Sequence, residues 1–201
     1  GRVMMKTNCN RPRLMMPDTE AFALVEHYNH AGVILEYGSG GSTVLASEMA
    51  SKPIFSVESD KEWLDMMKVW FVENPPISMP ILHHGDIGPT KAWGHPVDEK
   101  AYRRWPGYPN SVWQRADFQH PDVVLIDGRF RVACWLTVLF QITRPVTVLF
   151  DDYLDRPYYH RVEDLVKPAE MIGRMARFEL TPTTVPADRL GWIIDAYLRP
   201  N

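Results

Sequence analysis

Gly32-Val33-Ile34-Leu35-Glu36-Tyr37-Gly38-Ser39-Gly40-Gly41-Ser42-Thr43-Val44-Leu45-Ala46 is the stretch around which the rest of the chain is organised. An apolar run reaches Glu36, breaks into a glycine turn and restarts as an apolar pattern opening on Ser42 and Thr43, both good helix N-caps. The pattern predicts strand, tight turn, helix. Glycines let the backbone take positive φ and come close to a ligand, and the helix start offers unpaired N–H groups with a partial positive charge. A small polar ligand with an anionic end is expected there.

Two kinds of ligand use such a turn. A dinucleotide fingerprint needs G-x-G-x-x-G, and counting from Gly38 its third glycine falls on Thr43, which weakens a nicotinamide-dinucleotide reading. An acid two positions before G-x-G at the end of a first strand resembles the first motif of class I S-adenosylmethionine (SAM)-dependent methyltransferases. The resemblance implies a Rossmann-like α/β fold and a cofactor lying over Glu36, Gly38, Ser39, Gly40, Ser42 and Thr43.

Composition frames that expectation. The chain has 201 residues, 45% of them hydrophobic, enough for one α/β domain over 1–201 with a substantial core. A formal charge of −3 and a pI near 6.2 argue against a protein built around nucleic-acid phosphates. Cys9 sits in a polar arm and Cys134 in an apolar run, so no disulfide framework is expected. Gly1 to Met16 carries Arg2, Lys6, Arg11 and Arg13 without the apolar core of a signal peptide, and a cytoplasmic protein is expected. Val132 to Phe150 is the most apolar segment, but Arg144-Pro145 divides it into a buried helix and a strand rather than a membrane span.

Taken in order, Pro17-Asp18-Thr19-Glu20 opens a capped amphipathic helix that ends near Asn29 to Gly32. Ile54 to Glu58 reads as a second strand ending in an acid. Asp60 then caps a helix whose Trp63, Leu64, Met67, Trp70 and Phe71 recur at helical spacing until Pro75-Pro76. Glu58 lies 20 positions after Gly38, where an acid closing the second strand can accept hydrogen bonds from ribose hydroxyls. A third strand, Pro80 to His84, runs into Gly85-Asp86-Ile87-Gly88. In the resembled family an acid here holds the adenine amino group, and Asp86 matches.

Regular patterning stops from Pro89 to Pro121, a segment holding Trp93, Trp105, Trp113, Tyr102 and Tyr108. An aromatic insert this long is expected to form a lid or a substrate wall at the carboxyl edge of the sheet.

Two buried strands follow, Asp122 to Ile126 ending in Asp127-Gly128-Arg129 and Val146 to Phe150 ending in Asp151-Asp152-Tyr153. Consecutive parallel strands deliver their ends to one edge, so Asp127, Asp151 and Asp152 are expected to converge. Three close carboxylates repel, and a hard cation such as Mg²⁺ is a usual remedy. An acid ending the fourth strand and an Asp pair ending the fifth resemble the metal-binding set of catechol and caffeoyl-CoA type O-methyltransferases. The resemblance spans about residues 33–153 and implies a metal on Asp127, Asp151 and Asp152 that aligns the oxygen of a small-molecule acceptor with the SAM methyl.

One position departs from that pattern. Three residues after Asp127, where such relatives carry lysine or histidine, the chain has Phe130, flanked by Arg129 and Arg131 that cannot act as bases. The candidates for chemistry are therefore Asp127, Asp152 and His84, with His83 and Tyr153 beside them.

In the tail, Tyr158 to Val166 reads as a helix, and Met175 to Leu180 and Leu190 to Leu198 read as a final antiparallel pair, with Trp192, Ile194 and Tyr197 in the core. The sum is a Rossmann-like three-layer sandwich with a seven-stranded, mostly parallel sheet and a C-terminal antiparallel hairpin. Its expected activity is SAM-dependent O-methylation of a small molecule. A non-catalytic SAM or nucleotide binder and an NAD-dependent oxidoreductase are the alternatives, and a homodimer through the aromatic insert is compatible with the pattern.

Overall fold

The computed structural model describes residues 10–201, so Arg2, Lys6 and Cys9 lie outside the described residues. Seven strands form one sheet: β1 (Ile34–Tyr37), β2 (Ile54–Glu58), β3 (Ile81–His84), β4 (Val123–Ile126), β5 (Val146–Phe150), β6 (Glu170–Ile172) and β7 (Met175–Leu180). Their order is β3-β2-β1-β4-β5-β7-β6. The first five are parallel, and β7 runs antiparallel between β5 and β6. Helices α1 (Asp18–His30), α2 (Gly41–Ser47), α3 (Lys61–Glu73), α5 (Arg131–Gln141) and α6 (Leu190–Ala196) cover it, with a single turn, α4 (Gly107–Asn110), inside the insert.

Parallel strands buried on both faces need apolar residues at every position, and β4, Val-Val-Leu-Ile, is buried throughout. Alternate residues separate onto two faces. Leu35, Tyr37, Val124, Ile126, Val148 and Phe150 join the larger core with α5, whereas Ile34, Leu125 and Leu149 pack with Leu24 and Tyr28 of α1. Chain order reverses between β1 and β4, which opens a crevice at their carboxyl ends.

Two local expectations need correction. Leu190 to Leu198 is not a strand but contains α6; the hairpin partner of β7 is the short β6. Trp192, Ile194, Ala196 and Leu198 alternate as a strand would, but the helix buries Ile193 and Ala196 and leaves Ile194 exposed. Gly173-Arg174 joins β6 to β7, with Gly173 at φ 59, a turn conformation glycine adopts without strain. Likewise Ser42 and Thr43 do not cap α2. Gly40 is its N-cap, and Thr43 Oγ1 accepts the Gly40 N–H at 3.0 Å from the first turn. Asp60 does cap α3, accepting from the Trp63 N–H at 3.2 Å.

The insert divides in two. Trp105, Tyr108 and Val112 are buried in the main core, where Trp105 and Tyr108 pack on Phe130. Tyr37 links its hydroxyl to Pro109 O at 2.8 Å and accepts from Trp113 Nε1 at 2.9 Å. The earlier part, around the 3-10 turn Ala92–Gly94, instead reaches the end of β2, where Ser59 Oγ donates to Gly94 O at 2.8 Å. Among the described residues no helix is long and apolar enough to cross a membrane.

Candidate cofactor and acceptor site

The glycine turn is shaped by what surrounds it. Gly38 holds φ 101, and a Cβ there would run into the Asp127 carbonyl, so the turn after β1 lies directly against the end of β4. Over Gly40 the nearest atom a Cβ would meet is Trp63 Cζ2 at 4.0 Å, leaving the turn open at that point. Over Gly41 runs the backbone of Arg13-Leu14, a strap that only glycine admits. The strap is tied down by Arg11 Nη2 on Glu48 Oε1 at 2.7 Å and by Arg174 Nη2 donating to Met15 O at 3.1 Å.

Glu36 is fully buried, one layer behind the turn. It accepts from Tyr28 at 2.6 Å, Thr43 at 2.6 Å and Ser56 at 2.9 Å, all hydroxyls. Burial pushes its pKa up against the pull of these donors. The carboxylate thus braces β1, β2 and α2, its lone pairs engaged by side chains of the chain itself.

Glu58 stands at the end of β2 in a different setting. Its Oε1 accepts the Ser39 N–H at 3.1 Å and its Oε2 the Asp60 N–H at 2.9 Å, so it is fixed by backbone amides and keeps lone pairs for a ligand. Burial raises its pKa, partly offset by those amides. The Gly94 turn of the insert lies beside it, with a Cβ position 3.4 Å from Glu58 Oε2. Asp86 is exposed; the Gly88 N–H, with Arg104 beside it, holds it below the usual carboxylate range.

His84 closes β3, three strand intervals from Asp127 in the sheet order, roughly 14 Å by strand spacing. Its ring contacts Ser59 O at 3.3 Å. His83 lies between Arg115 Nη1 at 3.2 Å and Ser111 Oγ at 2.8 Å. Arginine has only donors, so Nδ1 accepts and Nε2 donates to Ser111, and both ring nitrogens are used. The Tyr153 hydroxyl donates to Glu163 at 2.5 Å.

The three aspartates do converge: oxygens of Asp127, Asp151 and Asp152 lie within 4.8 Å of one another. Two arginines thread them. Arg174 places Nε and Nη2 on Asp151 at 3.1 and 3.0 Å and Nε on Asp152 at 3.2 Å. Arg131 Nη2 lies 3.3 Å from Asp127 and 3.7 Å from Asp152, while Nη1 donates to Asp151 O at 2.7 Å. Asp152 holds φ 58, a left-handed backbone uncommon outside glycine. Burial, with Asp151 and Asp152 adding to it against Arg131, pushes Asp127 up to about 7. A divalent ion needs several free oxygen lone pairs directed at one point. Here Asp151 is fully buried under a bidentate guanidinium, and Arg131 and Arg174 already bring two positive charges to the three aspartates, so the donor set as it stands does not fit Mg²⁺.

Sequence reasoning missed Arg131, Arg174, Ser56 and Tyr28. Arg131 stands four residues after Asp127, a spacing that could have revealed it. Arg174 reaches the site from a hairpin turn placed by the Glu20 carboxylate, which accepts the Arg174 N–H at 3.2 Å. Arg129 is held by a third arrangement: Nη1 lies 2.7 Å from His95 Nε2, and Nε is buried without a partner.

No family model and no curated relative matches the chain. Among solved structures, a methyltransferase-like protein from Silicibacter pomeroyi is 50% identical, with a TM-score of 0.92 over 94% of this chain and 99% of that one. The O-methyltransferase TomG from Streptomyces achromogenes, in complex with SAM, shares the fold at 13% identity, TM-score 0.54, over 85% of this chain and 82% of its own. A tRNA (m1A58) methyltransferase from Aquifex aeolicus shares it at 11% identity, TM-score 0.53, over 87% and 73%. The sheet order, the crevice beside the glycine turn and the half-identical relative agree: the chain belongs to the class I SAM-dependent methyltransferases and is an enzyme of that family.

Proposed function

We propose that the chain transfers the methyl group of SAM to an oxygen of a small-molecule acceptor, and that residues 1–201 act as one unit in the cytoplasm with 89–121 as its substrate wall. The observation that carries the reading is the glycine turn lying between an amide-held acid, Glu58, and Asp127, an acid whose burial brings its titration near neutrality. The formal charge of −3 favours a small acceptor over nucleic acid.

SAM, when bound, supplies an electrophilic methyl carbon on its sulfonium and leaves as S-adenosylhomocysteine. In this reading Gly38, Ser39, Gly40, Ser42 and Thr43 form the seat of its methionine end, braced from behind by Glu36. Glu58 accepts from the ribose hydroxyls, and Asp86 meets the adenine amino group at the rim. Asp127 and Asp152 face the acceptor, and Asp127, titrating near neutrality, takes the proton its hydroxyl releases. The Arg131–Arg174 pair holds these carboxylates in place, and no step is routed through a metal. His84 takes no part in the chemistry.

Titration of the protein with S-adenosylhomocysteine tests the site. Micromolar binding that falls at least tenfold in Glu58→Ala supports it, and absence of binding refutes it. Methyl transfer from labelled SAM to a panel of phenols, catechols and RNA then tests the acceptor class.

A further inference from the structure

Arg129 differs from its neighbours at the carboxyl edge. Arg131 and Arg174 are each paired with aspartates of the cluster. Arg129, two residues past Asp127, has no ion-pair partner among the described residues; its guanidinium meets only the His95 ring, at 2.7 Å from Nη1 to Nε2 and 3.4 Å to Nδ1. Its Nε is shut off from water with nothing to receive its hydrogen. The neighbours supply no direct ion pair: the nearby Glu58 carboxylate acts on Arg129 only from beyond salt-bridge distance, Tyr108 contacts the Arg129 backbone N–H at 3.3 Å, and Gly94 packs near the aliphatic stem, its Cβ position 3.9 Å from Cγ.

A guanidinium kept partly out of water without an anion costs stability, and chains rarely retain that arrangement without a use. Its planar fork of donors matches an oxyanion, carboxylate or phosphate, through two parallel hydrogen bonds. The groups now against it suit an exchange. His95 is a neutral acceptor on the insert turn that also lies beside Glu58, so an incoming anion can take its place without breaking an ion pair.

Resting on the methyl-transfer reading above, we infer that Arg129 is the specificity-determining residue for the acceptor: the acceptor carries an oxyanion that docks on the Arg129 guanidinium in place of His95. Its reacting oxygen is then presented toward Asp127, two residues back along the chain.

The test uses protein saturated with S-adenosylhomocysteine, titrated with 3,4-dihydroxybenzoate, catechol, phenyl phosphate and phenol. Wild type binds at least one anionic probe at least tenfold more tightly than its neutral counterpart, and which probe wins separates carboxylate from phosphate. Arg129→Gln brings each pair within twofold, Arg129→Lys keeps part of the preference, and neither changes affinity for S-adenosylhomocysteine more than twofold. Arg129→Gln also melts no lower than wild type, because the guanidinium it removes has no counter-ion; an arginine kept only for structure would lower the melting temperature. Equal binding of anionic and neutral probes by wild type, or a preference surviving in Arg129→Gln, overturns the inference. An Arg129-dependent anion preference in protein that fails to bind S-adenosylhomocysteine refutes the methyl-transfer reading and leaves the anion site standing.

Discussion

Two halves of the same sheet edge solve the problem of buried acids in opposite ways. On the β1–β2 side, Glu36 and Glu58 are held by neutral donors, three hydroxyls for one and two backbone amides for the other. On the β4–β5 side, Asp127, Asp151 and Asp152 are held by two guanidiniums. Neutral donors fix geometry while leaving the local charge negative, which suits a ligand bearing a sulfonium and an ammonium group. Guanidiniums cancel most of the charge and leave positional stiffness, which suits proton transfer more than cation capture.

The contrast can be broken at its strongest point first. Glu36→Ala removes the common acceptor of the Tyr28, Thr43 and Ser56 hydroxyls, of which Ser56 keeps Ser39 as a partner, and is expected to cost about 3 kcal/mol, read as a lower urea midpoint. A loss below about 1 kcal/mol would mean that these hydroxyls re-pair locally. Asp151→Ala strips Arg174 of its bidentate partner and is expected to cost about 3 kcal/mol; a double-mutant cycle with Arg174→Ala should show strong coupling. Gly38→Ala, at φ 101 against the Asp127 carbonyl, is expected to cost about 2 kcal/mol and to abolish S-adenosylhomocysteine binding in calorimetry.

A smaller effect separates the halves by pH. Asp127 titrates near 7 in the fold against an ordinary 3.8, so between those values the native state binds more protons than the unfolded chain. This group's contribution to stability therefore falls as pH rises from about 4 to about 7 and is level above that. Asp127→Asn should flatten that part of the curve in denaturant melts at pH 4.5, 6 and 7.5. The smallest change is expected at the exposed rim, where Arg104→Ala frees Asp86 and should alter stability by no more than about 0.5 kcal/mol.

The strands and their terminal acids were legible in the sequence because a parallel strand must be apolar on both faces until it leaves the sheet, and the first polar residue after it marks the edge. Glu58, Asp127, Asp151 and Asp152 were visible for that reason, and Glu36, inside β1, by its place two residues before the Gly38-Ser39-Gly40 turn. What holds them was not. Tyr28 and Ser56 reach Glu36 from elements whose register only the folded sheet defines, since Glu36 and Ser56 are neighbours across β1 and β2. Arg174 was hidden because the β6–β7 hairpin was misplaced: Leu190 to Leu198 alternates like a strand, whereas the three residues of β6 are too short to leave a pattern. Without the two arginines, three aspartates look like a metal site.

The strap that crosses Gly41 gives the N-terminal segment leverage out of proportion to its length. Through the Met15 carbonyl it is tethered to Arg174, and through Arg174 to Asp151 and Asp152, which lie far along the chain at the end of β5. A cut or an added tag near residue 13 would therefore be felt in the rigidity of the aspartates some 140 positions later, and protease protection of this segment offers an outside gauge of how firmly the inner carboxylates are set.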